Sequence, residues 1–328
     1  MCTRAVWTGA GEAIFVGRNM DYAIDLETNI WAFPRGMVRD DGVRGDLRWT
    51  SRFGSIAAGA FDIMTNDGLN EAGLAAHLLW LTEADYGDVD TGRPALSLSV
   101  WLQYILDNFA SVAEAVSWFD TSEVQIVGQR EPQSGRPVTC HLAIDDATGD
   151  SAIIEFVGGE AHIWHDRSYG VMTNSPPYGE QLERLSQLQH LEDDAVLPGG
   201  TQSTARFARA AYYLERLPKP ASVPEGMASL LSVMRNVSQP ARVADPGKPE
   251  ASQTLWRTVA DLTHGIYLFE STHRPNIIWM TMKEMDLSPG ATVMKLDLSG
   301  RPNLDRGLVG DETAAFQPSP PMVFLRAS

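Results

Sequence analysis

The first eighty residues string together four short segments of small and apolar residues, joined by tight turns. CTRAVW (Cys2 to Trp7) is followed by TGAGE, whose glycines permit a tight turn, and then by AIFVGRNMD. GSIAAGAF (Gly54 to Phe61) and GLAAHLL (Gly73 to Leu79) flank TNDGLNEA, which reads as turn-rich. Polar alternation is weak in all four, the mark of strands covered on both faces. From Leu96 to Phe119 the period changes: Leu98, Trp101, Leu102, Ile105 and Phe109 recur at helical spacing. A meander follows, VTCHLAI, SAIIEFV and AHIWH, with turns at Asp146 to Gly149 and at Gly158-Gly159. Residues 202–217 read as a second helix, ended by Pro218, and TLWRTVAD, GIYLFES and NIIWMTM as late strands. LPKPASVPEG and SQPARVADPGKPEASQ read as surface loops, and the Pro-rich tail from about Gly307 as a surface wrap. Strands joined by such short turns pair antiparallel, with helices packed outside them.

At 328 residues, length alone allows about two domains of ~150 residues. One large sandwich of stacked sheets fits as well. Lys plus Arg number 26 and Asp plus Glu 42, a net charge of −16. Such a surplus disfavours nucleic acid as a partner, because nothing neutralises phosphates, and it disfavours docking on an anionic membrane. No run of eighteen apolar residues marks a membrane span. The start, Met1-Cys2, shows no basic segment leading into an apolar core, so a cytoplasmic location is expected. Two cysteines, Cys2 and Cys140, make no disulfide framework.

The common catalytic signatures are missing: GxSxG, HExxH, the P-loop and GxGxxG. His162 and His165 stand three apart in a strand, so they point to opposite faces and make a poor metal pair. Cys140 and His141 diverge for the same reason, and Cys140 reads as a buried small hydrophobe. No metal and no cofactor are expected.

Cys2 has a specific consequence if Met1 is removed. One residue then carries a thiol, of reference pKa ~8.5, and a free α-amine, of reference pKa ~7.7–8.0. The amine can accept the thiol proton, so nucleophile and base are one residue and no histidine is needed. In a hairpin the second strand returns beside the first, bringing Arg18 of GRNMD near Cys2, where a guanidinium favours thiolate. Asp21 could hold the α-amine by hydrogen bonding. Taken singly, each has an ordinary explanation: a chance Cys after the start Met, and a strand-end ion pair.

With Cys2 and GRNMD in place, the chain resembles the choloylglycine hydrolase family, which holds penicillin V acylases and conjugated bile-salt hydrolases within the N-terminal-nucleophile hydrolases. The resemblance runs in order through CTR, GRNMD, DGLNEAGL (Asp67 to Leu74), SAIIEF, VMTNSP (Val171 to Pro176), ARFARAA (Ala205 to Ala211) and WRTVAD (Trp256 to Asp261). It implies an α+β fold, an αββα four-layer sandwich of two antiparallel sheets with helices outside, over residues 1–328 as one domain. It also implies hydrolysis of a linear amide of a small molecule with an apolar acyl group, and a homotetramer.

The resemblance further implies roles. Cys2 is the nucleophile, and Arg18 and Asp21 tune and orient it. Asn174 donates its side-chain amide to the oxyanion, and Arg206 is the remaining active-site arginine. Many Gram-positive members carry Asn twelve residues after the glycine of the DGLNE-like turn; here that position is Trp80. Its backbone N–H can still serve the oxyanion, since every non-proline residue keeps that donor. Its indole, with Tyr22, is expected to line an acyl pocket, as in the Gram-negative penicillin V acylase branch, although both aromatics would also suit ordinary core packing. Penicillin V is therefore the first expected substrate, N-acyl homoserine lactones (a quorum-quenching activity) the second and conjugated bile salts the third. Two other classes stay open: a non-catalytic acyl-amide binder that keeps Met1, and a redox or metal protein using Cys140 and the histidines.

Overall fold

Cys2–Trp7 (β1) and Phe15–Tyr22 (β2) form the opening hairpin, in the register Cys2↔Met20 and Arg4↔Arg18. Its turn passes through Gly11, whose φ of 91° suits glycine. In this computed structural model, which describes residues 1–186, 197–243, 252–299 and 307–327, the hairpin lies inside a seven-stranded sheet. The order across that sheet is Val171–Met172, β1, β2, Gln253–Asp261, Ile266–Ser271, Ile277–Thr281 and Gly310–Asp311. Only its last pair is parallel.

The second sheet has nine strands, ordered Glu160–His165, Ser151–Val157, Cys140–Asp146, Leu74–Trp80, Met64–Asn70, Ser55–Ala60, Asn29–Phe33, Met294–Leu296 and Gln317–Pro318. Helices Leu98–Asn108 (α1) and Val112–Thr121 (α2) cover its outer face. Tyr178–Ser186 (α3) packs on Ser203–Glu215 (α4), and α4 with Val223–Asn236 (α5) covers the seven-stranded sheet. The result is the four-layer αββα sandwich expected from the sequence. Period two explains the weak alternation: Leu74, Ala76 and Leu78 join the cluster under α1, whereas Ala75 and Leu79 join the core between the sheets. His77 shares that inward parity. Among the described residues no helix is long and apolar enough to cross a membrane.

Several sequence expectations need correction. TNDGLNEA is mostly strand, Met64–Asn70, and the turn comes only at residues 71–73. Gly68 is a close-packing glycine: a Cβ there would lie 2.8 Å from the Ile56 carbonyl oxygen and 2.7 Å from Leu106 of α1. The turn is held by Asn70, whose Oδ1 accepts from the N–H groups of Ala72 and Leu74, both at 3.0 Å. The segment 96–119 is two helices, broken where Ser111 caps α2 by accepting from Glu114 N–H at 3.2 Å while Glu114 accepts from Ala110 N–H at 3.0 Å. LPKPASVPEG is not all loop: Ser222 caps α5, and Pro224 sits in its first turn, where a missing N–H costs nothing. Helix α3 was not anticipated. Of SQPARVADPGKPEASQ, residues 244–251 lie outside the described residues. The tail contributes strand pairing at Gly310–Asp311 and Gln317–Pro318, and the Leu325 carbonyl then accepts from Ser99 Oγ (2.6 Å) and Gln129 Nε2 (3.0 Å).

Candidate active site

The Cys2 thiol is buried where β1 begins, between the two sheets. The hairpin register brings Arg18 beside it: Nη2 donates toward Sγ at 3.7 Å and to the Leu78 carbonyl at 2.7 Å. Nη1 donates to the Asn66 carbonyl at 2.7 Å, and the guanidinium lies over the Trp256 ring, 4.9 Å from its centroid. Arg18 is therefore fixed from both sheets, with one edge turned to sulfur.

Met1 is attached in this structure. Its ammonium donates to the Asp21 carbonyl at 2.6 Å, and burial first of all lowers its pKa. The Cys2 nitrogen is thus a peptide N–H, and it donates to Asn174 Oδ1 at 2.5 Å. The side chain at that nitrogen is Asn174, and the Asp21 carboxylate, expected to hold a free Cys2 α-amine, has other partners here. Asp21 instead accepts from Thr254 Oγ1 (2.5 Å) and Gln239 Nε2 (2.9 Å), and lies 3.8 Å from Arg206. Thr254 stands opposite Asp21 in the pairing of β2 with Gln253–Asp261, and Gln239 comes from the segment after α5; no local pattern shows either.

Asn174 is held by its own neighbourhood. Its N–H donates to Ser203 Oγ at 2.9 Å, and its carbonyl accepts from Gln181 of α3. Its Nδ2 donates to the Trp80 carbonyl at 2.6 Å, which uses one of the amide's two N–H groups. Arg206, in the first turn of α4, is fully buried rather than solvated. Its Nη2 donates to Asn174 Oδ1 at 2.7 Å, and its Nη1 donates to the Cys2 carbonyl and to Thr3 Oγ1. It ties β1 to the Asn174 loop.

Trp80 ends the strand Leu74–Trp80. Leu81 N–H donates toward Thr139 at 3.0 Å, so by alternation the N–H of Trp80 points to the opposite edge. That edge also carries the Leu78 carbonyl, which meets Arg18, and the Trp80 carbonyl, which meets Asn174. The indole is half-buried, its ring 6.4 Å from that of Tyr22. Both rings line a cleft of about 750 Å³, open mouth included, together with Cys2, Met20, Leu26 and Phe61. The sequence reading missed Glu131. This buried carboxylate accepts from Tyr22 Oη at 2.7 Å and from Ser134 Oγ, and lines the same cleft. Burial pushes its pKa up, but these donors outweigh burial and hold it below the usual range, while burial first and then Glu131 push Tyr22 up. A Pro132-Gln133-Ser134-Gly135 turn beside a lone Glu was the only signal in the sequence.

Cys140 reaches the cleft wall, and burial pushes its thiol up to about 12. His141 points inward, bonded to Glu155 (2.8 Å) and the Thr173 carbonyl (3.0 Å), so it supports the Asn174 loop. Among the described residues no cluster of three His, Cys, Asp or Glu could hold a metal ion.

A layered sandwich with a cysteine at the head of an inner strand is the architecture of the N-terminal-nucleophile hydrolases. The family model of linear amide C–N hydrolases, choloylglycine hydrolase family, matches residues 2–300. A penicillin V acylase from Pectobacterium atrosepticum is 36% identical, over 98% of this chain and 92% of that protein. The solved penicillin V acylase of Agrobacterium tumefaciens superposes with a TM-score of 0.90 at 41% identity, covering 99% of each chain. A conjugated bile acid hydrolase from Clostridium perfringens, at 21% identity, shares the fold with a TM-score of 0.80, over 92% of this chain and 99% of that one. The chain belongs to the choloylglycine hydrolase family and is a linear amide C–N hydrolase.

Proposed function

We propose that the chain hydrolyses amides of small N-acyl compounds with an apolar acyl group, penicillin V first, through Cys2 after loss of Met1. The observation that carries this is the cleft: Tyr22 and Trp80 wall an apolar space that ends at Cys2 Sγ, with Arg18 at 3.7 Å. With Met1 gone, the Cys2 α-amine takes the thiol proton, and sulfur attacks the amide carbonyl. The Trp80 N–H and the second Nδ2 hydrogen of Asn174 face the resulting oxyanion. The α-ammonium protonates the departing amine as the C–N bond breaks. Water then attacks the thioester, releasing the acid and restoring the thiol. Asp21 and Arg206 hold the start of β1 and the Asn174 side chain in register.

The two sheets share one core and the tail reaches the cleft at Leu325, which supports reading residues 1–328 as one catalytic domain. Lactone acyl chains rank second and conjugated bile salts third, because an aromatic wall suits an aryloxyacetyl group best. The competing reading, acyl-amide binding without turnover, requires Met1 to stay on Cys2, because a nitrogen held in a peptide bond cannot take the thiol proton. The test is one preparation whose N-terminal mass is measured and which is assayed on penicillin V, penicillin G, lactones and bile-salt conjugates. Turnover with Met1 absent supports hydrolysis; a retained Met1 with binding alone supports the competing reading.

A further inference from the structure

Behind the Cys2 thiol lies a buried polar layer that crosses the core between the sheets. From the seven-stranded sheet come Arg4, Arg18 and Tyr267, and from the nine-stranded sheet Asp67, His77 and Asp145, all at most 3% exposed. Two registers assemble it: Arg4 is opposite Arg18, and Asp67 opposite His77. Asp67 is its centre. One carboxylate oxygen accepts from Tyr267 Oη, and the other lies 2.7 Å from His77 Nδ1 and 3.5 Å from Arg18 Nη1. An ionised carboxylate only accepts, so Nδ1 carries the imidazole proton. His77 Nε2 then faces Asp145, 3.8 Å away, and Asp145 is paired with Arg4. Burial leads in lowering the His77 pKa, so the imidazole is neutral near pH 7. Two cations thus face two carboxylates. Arg18 is the cation that reaches both a carboxylate and the site, with Nη1 on Asp67 and Nη2 on Cys2.

We propose that Asp67 is a positioning residue for amide hydrolysis: it anchors the Arg18 guanidinium against Cys2 and sets how much of its charge the sulfur meets, while His77 and Tyr267 hold Asp67 in place. This rests on the reading of Cys2 as the nucleophile. Without a counter-charge, a cation at 3.7 Å would over-stabilise the thiolate, and an over-stabilised thiolate is a poorer nucleophile. Besides Arg18, the charged or titratable groups around the sulfur are the N-terminal amine, Asp21, Arg206 and Cys140, with Tyr22, Arg130 and Glu131 along the same cleft. None of these contacts Asp67, so a change at Asp67 reaches Cys2 through Arg18 and through space.

The test is the rate of Cys2 alkylation by iodoacetamide against pH in the full-length protein, with folding checked by circular dichroism. Asp67→Asn keeps the shape and removes the charge. Asp67 lies 3.5 Å from Nη1 and the sulfur 3.7 Å from Nη2 of the same guanidinium, so the profile should move to lower pH by roughly 0.4 to 1.5 units, for dielectric constants from 80 to 20. Tyr267→Phe removes one donor from Asp67, leaves more of its charge facing Arg18, and should move the profile the opposite way. Should Asp67→Asn fail to fold, Tyr267→Phe decides alone. An unmoved profile in the folded variants overturns the proposal. Cys2→Ala separates the two readings. Full turnover in that variant would sink the nucleophile, whatever the profile does. An inactive Cys2→Ala with unmoved profiles would sink the Asp67 role alone.

Discussion

Replacing Trp80 by alanine separates a pocket wall from a core residue. A fully buried Trp→Ala costs ~3–5 kcal/mol. Trp80 is half-buried and lines the cleft, so roughly 1–2 kcal/mol is expected. At about 2–4 °C per kcal/mol for a large domain, the melting temperature should fall by about 2–8 °C. The effect on substrates should be larger. An aryl group loses about 50 Å² of apolar contact, worth ~1.3 kcal/mol at 25 cal/mol per Å². It also loses an aromatic pairing of ~0.5–1.5 kcal/mol. Together these amount to a fall of roughly 20- to 100-fold in kcat/KM for penicillin V. A long alkyl chain can settle into the vacated space and should lose less than about fivefold. The assay is kcat/KM for penicillin V and a long-chain N-acyl homoserine lactone, beside a melting curve, for wild type and variant. A fall in melting temperature above about 10 °C with an unchanged substrate ranking would refute the reasoning: the indole would be core, and the ordering of substrates would lose its support.

Cys2→Ala or Cys2→Ser should abolish turnover while leaving the melting temperature within about 2 °C, since a small side chain changes little packing; activity assays and a melting curve check this. Arg18→Ala should move the Cys2 alkylation profile to higher pH, because removing a cation beside a thiol disfavours thiolate, and activity should fall most at the acid end of the range. Burial holds the Cys140 thiol at about 12, so iodoacetamide at pH 8 should label Cys2 and spare Cys140 until the protein is unfolded, as peptide mapping would show. Glu131→Gln keeps an acceptor for Tyr22 Oη but removes the charge from the cleft wall, and kcat/KM should rise for amides whose acyl group ends in a carboxylate, with penicillin V changed by less than about threefold.

The local code was legible where structure is local. Residues 2–22 announced a hairpin, and its register alone carries Arg18 to within reach of Cys2. Short turns between apolar runs announced antiparallel sheets, and the meander 138–165 follows that reading. Glycine misled it at Gly68, because the same residue type serves a turn and a close packing contact, and only the approach of α1 tells which. Proline misled it at Pro224, which opens a helix as readily as it fills a loop.

Residue types and order within the chain determined the family and the sandwich, and the resemblance they carry named the candidate site residues: Cys2, Arg18, Asp21, Trp80, Asn174 and Arg206. Their arrangement was decided by tertiary structure. Asn174 meets the Cys2 nitrogen across 172 residues, and Thr254 reaches Asp21 across 233. Periodicity tells which face of a strand is buried, yet it says nothing about which distant strand lies alongside, because that choice depends on how whole layers pack. The carboxylates Glu131 and Asp67 became recognisable for the same reason. A buried charge is retained where partners from other elements satisfy it, and those partners, Tyr22 for one and His77, Tyr267 and Arg18 for the other, come together only when the two sheets close.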